Sequence, residues 1–236
     1  MAAVPDTVDS RDAAGPQRDD AVSLAIDVSG LGFSYDGTPV LQMERCELER
    51  GKSAAVIGPS GCGKTTFLHL LAGLIRPTTG SIHVLGQDLG ELRGAGLDRF
   101  RGRRIGLVFQ RLHLLPALSV RENILLAQRL GGSRVDPARV TTLLEELDLR
   151  GLDHRKPSML SQGQAQRVAI ARALVHGPEL IMADEPTSAL DDSHAEQALA
   201  LLQSSARRVG AALLVVTHDQ RVRGRLDGEF ELEAPA

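Results

Sequence analysis

The sequence predicts an α/β fold: a mostly parallel sheet, an N-terminal antiparallel β segment ahead of it, and a helical insertion part-way along. Three observations predict it. Strict apolar alternation begins at Val22, short unbroken apolar runs alternate with helical stretches beyond Gly51, and strand texture vanishes between Gln110 and Leu160. At 236 residues, 42% hydrophobic and 24% charged, one domain can bury its own core without disulfides or structural metal.

Residues 1–21 are rich in Ala, Asp, Pro and Gly and show no apolar period, so they are expected to form a disordered leader. Their five aspartates against two arginines account for the whole net charge of -3. From Val22, the alternation Val22, Leu24, Ile26, Val28 against Ser23, Ala25 and Asp27 predicts a half-buried strand. Asp36-Gly37 predicts a tight turn joining Phe33-Ser34-Tyr35 to Pro39-Val40-Leu41, and the first fifty residues read as antiparallel β.

Beyond Gly51 the runs Ala54–Ile57, Ile105–Phe109, Leu180–Ala183 and Ala211–Val216 predict buried parallel strands. Each leads into polar residues: a glycine loop, Gln110, Asp184-Glu185 and Thr217-His218. Ligands of open α/β sheets bind beyond the carboxyl ends of the strands, so these four ends are expected to converge on one site. In the insertion, Ser119 and Glu122 have capping-box spacing before Ile124-Leu125-Leu126, and Asp136-Pro137 predicts the start of a helix reaching Leu147. The inserted helical subdomain is placed at about 111–160.

Composition excludes several functions. A neutral body without Trp and with 3% aromatics lacks the basic surface and stacking rings of a nucleic-acid binder, so no nucleic acid is expected as a partner. Two cysteines, Cys46 and Cys62, form no disulfide framework, and a reducing cytosol is the expected compartment. The longest apolar run, Ala211–Val216, is far short of the roughly 20 residues of a membrane-spanning helix.

The chemistry begins at Gly58-Pro59-Ser60-Gly61-Cys62-Gly63-Lys64-Thr65, which fits G-x-x-x-x-G-K-[ST] between a predicted strand and a helical run from Thr66 to Leu74. Glycines let backbone N–H groups turn inward around phosphate oxygens, and the helix N-terminus adds partial positive charge. Lys64 is expected to reach the β and γ phosphates, and the Thr65 hydroxyl to bind Mg²⁺. Cys62 reads as a spacer, with a reactive thiol as the alternative. Asp184 and Glu185 close a buried strand. Beside a phosphate loop, Asp184 suits Mg²⁺ and Glu185 suits the attacking water, although alone the pair could simply stabilise a helix N-terminus.

With these residues in place, the chain resembles the ATP-binding subunits of ABC transporters, a P-loop NTPase core, over about Val22 to Glu231. Other landmarks of the family follow in family order. Tyr35 resembles the aromatic that stacks on adenine, Gln110 the glutamine joining the metal to the helical subdomain, and Leu160 to Gln164 the signature. Ser188-Ala189-Leu190-Asp191 resembles the D-loop, and His218 the switch histidine. The resemblance implies catalytic roles for Glu185, His218, Gln110 and Lys64, and metal contacts for Thr65, Gln110 and Asp184. Nucleotide contacts are implied for Tyr35, Gly58 through Thr66, Ser161, Gly163 and Gln164. The remaining histidines, His69, His83, His113, His154, His176 and His194, lack ligand-like spacing.

Ser161 and Gln164 also have capping-box spacing, with Ala165, Val168, Ala169 and Ala173 at helical spacing until Gly177-Pro178. A plain helix cap explains that pattern. The resemblance implies more, namely a head-to-tail homodimer (or paired ATPase subunits) in which the signature of one subunit closes over the γ phosphate held by the other. Gln162 stands where the family most often has glycine, and retained activity with altered closure is expected.

A transport ATPase of this family works on a separate integral membrane permease, which would hold it at the cytoplasmic face of the membrane. Leu112, Leu114, Leu115, Pro116, Leu118 and Val120 after Gln110 supply more apolar residues than a connection needs. By resemblance, those not used in the core would form the groove receiving a helix of the permease. Arg104 to Gln110, the following Leu114-Leu115-Pro116, the compact length and no accessory domain after Glu231 look most similar to the lipoprotein-release and macrolide-export group. Two other readings stay open: a non-transport ATPase regulating a cell-envelope or cell-division complex, and a soluble ATPase acting on DNA or ribosomes.

Overall fold

Apolar runs buried on both faces account for the centre of the structure, a computed structural model describing residues 23–132, 134–188 and 190–233. In chain order the strands are β1 (Leu24–Tyr35), β2 (Thr38–Glu49), β3 (Ser53–Ile57), β4 (Thr79–Val84), β5 (Gln87–Asp88), β6 (Ile105–Val108), β7 (Leu180–Asp184), β8 (Ala212–Thr217) and β9 (Gly228–Glu231). The α-helices are α1 (Lys64–Leu71), α2 (Ala95–Arg104), α3 (Val120–Leu130), α4 (Pro137–Glu146), α5 (Gln162–Leu174) and α6 (Asp192–Val209).

Strands β6-β7-β8-β3-β9 form a parallel sheet, and β2-β1-β4-β5 an antiparallel one. In β3 the pleat splits the run between two cores. Ala54 and Val56 join α1 and the antiparallel sheet, while Ala55 and Ile57 face the opposite side, among residues of α3 to α6. Phe67 of α1, fully buried, is among the largest side chains of the first core. Pairing β8 between β3 and β7 sets their carboxyl ends side by side, with Ile57 opposite Thr217 and Asp184 opposite Val216.

The turn at Asp36-Gly37 forms as expected, with Tyr35 opposite Thr38. Ser119 and Glu122 form a reciprocal capping box on α3, and Asp136 caps α4 with Pro137 in its first turn.

Other expectations need correction. The predicted alternation breaks at a register shift between Leu24 and Ile26, which buries Ala25 beside Ile26 and leaves Leu24 half-buried; Val22 and the leader lie outside the described residues. Antiparallel β is not confined to the first fifty residues, because β4 and β5 return to pair with β1. Helix α1 begins at Lys64 and ends at Leu71, earlier than the Thr66 to Leu74 run. Of the apolar residues after Gln110, Val120 belongs to the core, fully buried in the first turn of α3, whereas Leu115 and Pro116 are exposed.

Candidate active site

The polar ends of β3, β7 and β8 meet at one edge of the parallel sheet. Gly58 N–H donates to Thr217 O at 3.4 Å as the chain leaves β3. Pro59, Ser60 and Gly61 are exposed, while Cys62 is buried and its N–H turns back to Pro59 O at 3.3 Å. Gly63 has φ 93°, and a Cβ there would lie 2.7 Å from Val40 O, so both conformation and space demand glycine. No side chain caps α1 and no acidic residue sits in its first turn. Its first donors are therefore available to an anion.

Lys64 folds over its own loop. Its Nζ donates to Gly58 O at 3.0 Å and Pro59 O at 2.9 Å, and lies 3.6 Å from Glu185 Oε1. Thr65 follows at the site mouth, with Oγ1 at 3.3 and 3.1 Å from the two carboxylate oxygens of Asp184, and Thr66 is half-buried behind it. Burial pushes the Asp184 carboxyl above its ordinary value, against the opposing hydrogen bond from Thr65.

Glu185 adopts φ 48°, a left-handed conformation uncommon for a residue with a side chain. The strained backbone turns its carboxylate toward the end of β8. Oε2 accepts from Thr217 Oγ1 at 2.8 Å, Oε1 accepts from His218 N–H at 3.1 Å, and His218 Nδ1 lies 2.8 Å from Oε1. Gln110, just beyond β6, donates from Nε2 to Ser188 Oγ at 3.3 Å, and Ser188 Oγ donates to Glu185 O at 3.1 Å. All four strand ends thus converge.

Among the described residues, Tyr35, Ser161, Gly163 and Gln164 make no side-chain hydrogen bond to this group. Tyr35 is 53% exposed and edge-on to Phe33, with ring centroids 4.7 Å apart. Ser161 caps α5: Gln164 N–H donates to Ser161 Oγ at 3.2 Å, and Ser161 N–H to Gln164 Oε1 at 3.0 Å. That bond occupies Gln164 Oε1. A Cβ on Gly163 would meet nothing within 4 Å, so its own subunit does not require glycine there. Among the described residues, no hydrogen bond joins Ser161, Gly163 or Gln164 to the phosphate loop.

A profile described as ABC transporter matches residues 41–188, from within β2 through the phosphate loop and signature to Ser188. The chain belongs to the ABC transporter family. The cassette is similar to the lipoprotein-releasing system ATP-binding protein LolD of Anaeromyxobacter dehalogenans, 42% identical over 214 residues, covering 88% of this chain and 90% of that protein. LolD of Hydrogenovibrio crunogenus is 40% identical, with 89% and 94% covered. Among solved structures, the dimeric post-hydrolysis state of the ATP-binding cassette MJ0796 bound to ADP and Pi is similar, with TM-score 0.79 and 30% identity over 89% of this chain and 97% of that one. The cassette is accordingly an ATP-binding ABC ATPase with a P-loop NTPase fold.

Sequence reasoning missed four residues around this site. In the sequence Thr217 reads only as a strand end, yet its hydroxyl holds Glu185. Thr187, Asp219 and Arg221 form a linked group behind the site, with Thr187 Oγ1 donating to Asp219 Oδ2 at 2.6 Å and Arg221 paired with Asp219. For Thr217, Asp219 and Arg221 the signal is the unbroken polar run from Thr217 to Arg221 after an apolar strand; Thr187 has none.

Proposed function

We propose that the cassette is the ATPase of a lipoprotein-release type transporter, closing as a head-to-tail dimer on two Mg-ATP to drive a separate membrane permease. The arrangement of Glu185 carries the hydrolytic part. Its carboxylate is held by Thr217 and His218 beside the Lys64 ammonium, where a water attacking the γ phosphate would stand. Glu185 orients that water and receives its proton, and Lys64 leaves the Gly58 and Pro59 carbonyls for the β and γ phosphates. Gly58 through Thr66 cradle the phosphates, and Tyr35 offers an exposed ring for adenine.

The donor set suits Mg²⁺. Asp184, the Thr65 hydroxyl and the Gln110 amide oxygen are hard ligands, and donation of Gln110 Nε2 to Ser188 leaves that oxygen free for a cation. Among the described residues no group of three or more His, Cys, Asp or Glu could hold a metal alone, so phosphate oxygens and water would have to complete the shell. Bound there, Mg²⁺ neutralises charge developing on the phosphates.

Among the described residues no hydrogen bond joins Ser161 or Gly163 to the phosphate loop of their own subunit, and a Cβ at Gly163 would meet nothing within 4 Å. Both facts support closure in trans. The similar LolD proteins belong, by name, to a lipoprotein-releasing system. A groove of about 710 Å³ beside β6, lined by Leu107, Phe109, Leu115, Leu126 and Leu130 among others, supports docking of a permease helix on the subdomain at 111–160. That docking would hold the cassette at the cytoplasmic face. No helix among the described residues is long and apolar enough to cross a membrane.

The test is affinity capture of a tagged Glu185→Gln variant from solubilised membranes with Mg²⁺ and ATP. A stoichiometric multi-span protein with a large external domain is the expected companion. Recovery of ribosomes, DNA or soluble proteins alone would overturn the transport reading.

A further inference from the structure

The segment after β7 and the segment after β8 each supply one half of the hydrolytic pair, Glu185 and His218. Behind that pair the two segments are tied by a guanidinium. Arg221 Nε lies 2.8 and 3.0 Å from the carboxylate oxygens of Asp219, and Nη2 lies 2.7 Å from Oδ2. The opposite side of the fork reaches Leu190 O at 3.3 Å, Thr187 O at 3.4 Å and Asp192 Oδ1 at 2.7 Å. One planar group therefore spans both ends of 187–190, the start of α6, and the residue next to His218.

This tie bears on the reacting groups through short links. Ser188, between Thr187 and Leu190, donates to Glu185 O and accepts from Gln110. Asp219 N–H donates to Thr217 Oγ1 at 3.0 Å, and that hydroxyl donates to Glu185. Glu185 holds a left-handed backbone conformation, which persists only where its surroundings fix it. We propose that Arg221 is a positioning residue for ATP hydrolysis, clamping the loop after β7 to the loop after β8 so that Glu185 and His218 keep their geometry.

The clamp rests on the hydrolytic role given to Glu185 and needs no contact with nucleotide. A point charge cannot replace it. Lysine could still neutralise Asp219, which is mostly buried, but lacks the planar fork that also reaches the Leu190 and Thr187 carbonyls. Charge compensation and positioning are thereby separable.

The experiment compares steady-state ATP hydrolysis and ATP affinity for wild type, Arg221→Lys, Arg221→Ala and Glu185→Gln, with melting temperature measured for each. Arg221→Lys is expected to melt close to wild type and keep its ATP affinity within about twofold while kcat falls about tenfold, because misplacing catalytic groups costs turnover rather than binding. Full wild-type kcat in Arg221→Lys would overturn the clamp even if Arg221→Ala unfolds. Glu185→Gln reports separately on the underlying role: hydrolysis as fast as wild type would overturn that role and the clamp with it.

Discussion

His218 Nδ1 stands 2.8 Å from Glu185 Oε1, and the His218 backbone N–H donates to the same carboxylate. A carboxylate accepts, so this contact places a ring proton on Nδ1. The pair is built from two strands, with the glutamate just past β7 and the histidine just past β8. His218→Ala is expected to lower kcat about 100-fold with little change in KM for ATP. Steady-state kinetics check this, and a kcat within twofold of wild type would refute the pairing's role.

Lys64 is 6% exposed and spends its ammonium on two carbonyls of its own loop. Phosphate oxygens can take over those bonds, whereas alanine leaves both the carbonyls and the phosphates without a donor. Lys64→Ala is expected to lose ATP binding by at least about 100-fold in a fluorescent-nucleotide titration. Unchanged affinity would remove the phosphate-loop assignment.

Hydrogen bonding by Arg221 above all, aided by Thr187, holds the Asp219 carboxyl down at about 2, below its ordinary 3.8. A carboxyl lowered by folding stabilises the fold above its unfolded value, and that contribution disappears as pH falls from 3.8 towards 2. Asp219→Asn should therefore be less stable than wild type near neutral pH, with the gap narrowing across that window. Urea unfolding at several pH values measures the gap, and one that widens on acidification would contradict the sign.

Gln162 is exposed at the first position of α5, bridged on either side by the Ser161 and Gln164 capping box. Among the described residues its side chain makes no hydrogen bond within the subunit. Gln162→Gly is expected to cost under ~1 kcal/mol of stability, the scale of a glycine in a helix. ATPase activity should stay within about threefold, and a loss beyond tenfold would show that glutamine is required for closure.

Much of the site was legible because its chemistry is local. The spacing from Gly58 to Thr65, the strand ends at Asp184-Glu185 and Thr217-His218, and the two capping boxes are written within a few residues each. Long-range pairing was not. Strands β4 and β5 lack a strong period of their own and exist because β1 offers them an edge. Ala25 is buried by a bulge that the alternation does not announce. Nothing local marks Arg221, since its partners Thr187 and Leu190 lie more than thirty residues earlier in sequence.

The central claim is that two cassettes close on ATP and that Glu185 then drives hydrolysis. Sedimentation of purified Glu185→Gln with and without Mg-ATP tests it most directly, with bound nucleotide counted in the sedimenting species. The account predicts a monomer that becomes a dimer holding two ATP molecules, together with loss of turnover. A variant that stays monomeric at saturating ATP, or that hydrolyses ATP at the wild-type rate, would contradict it.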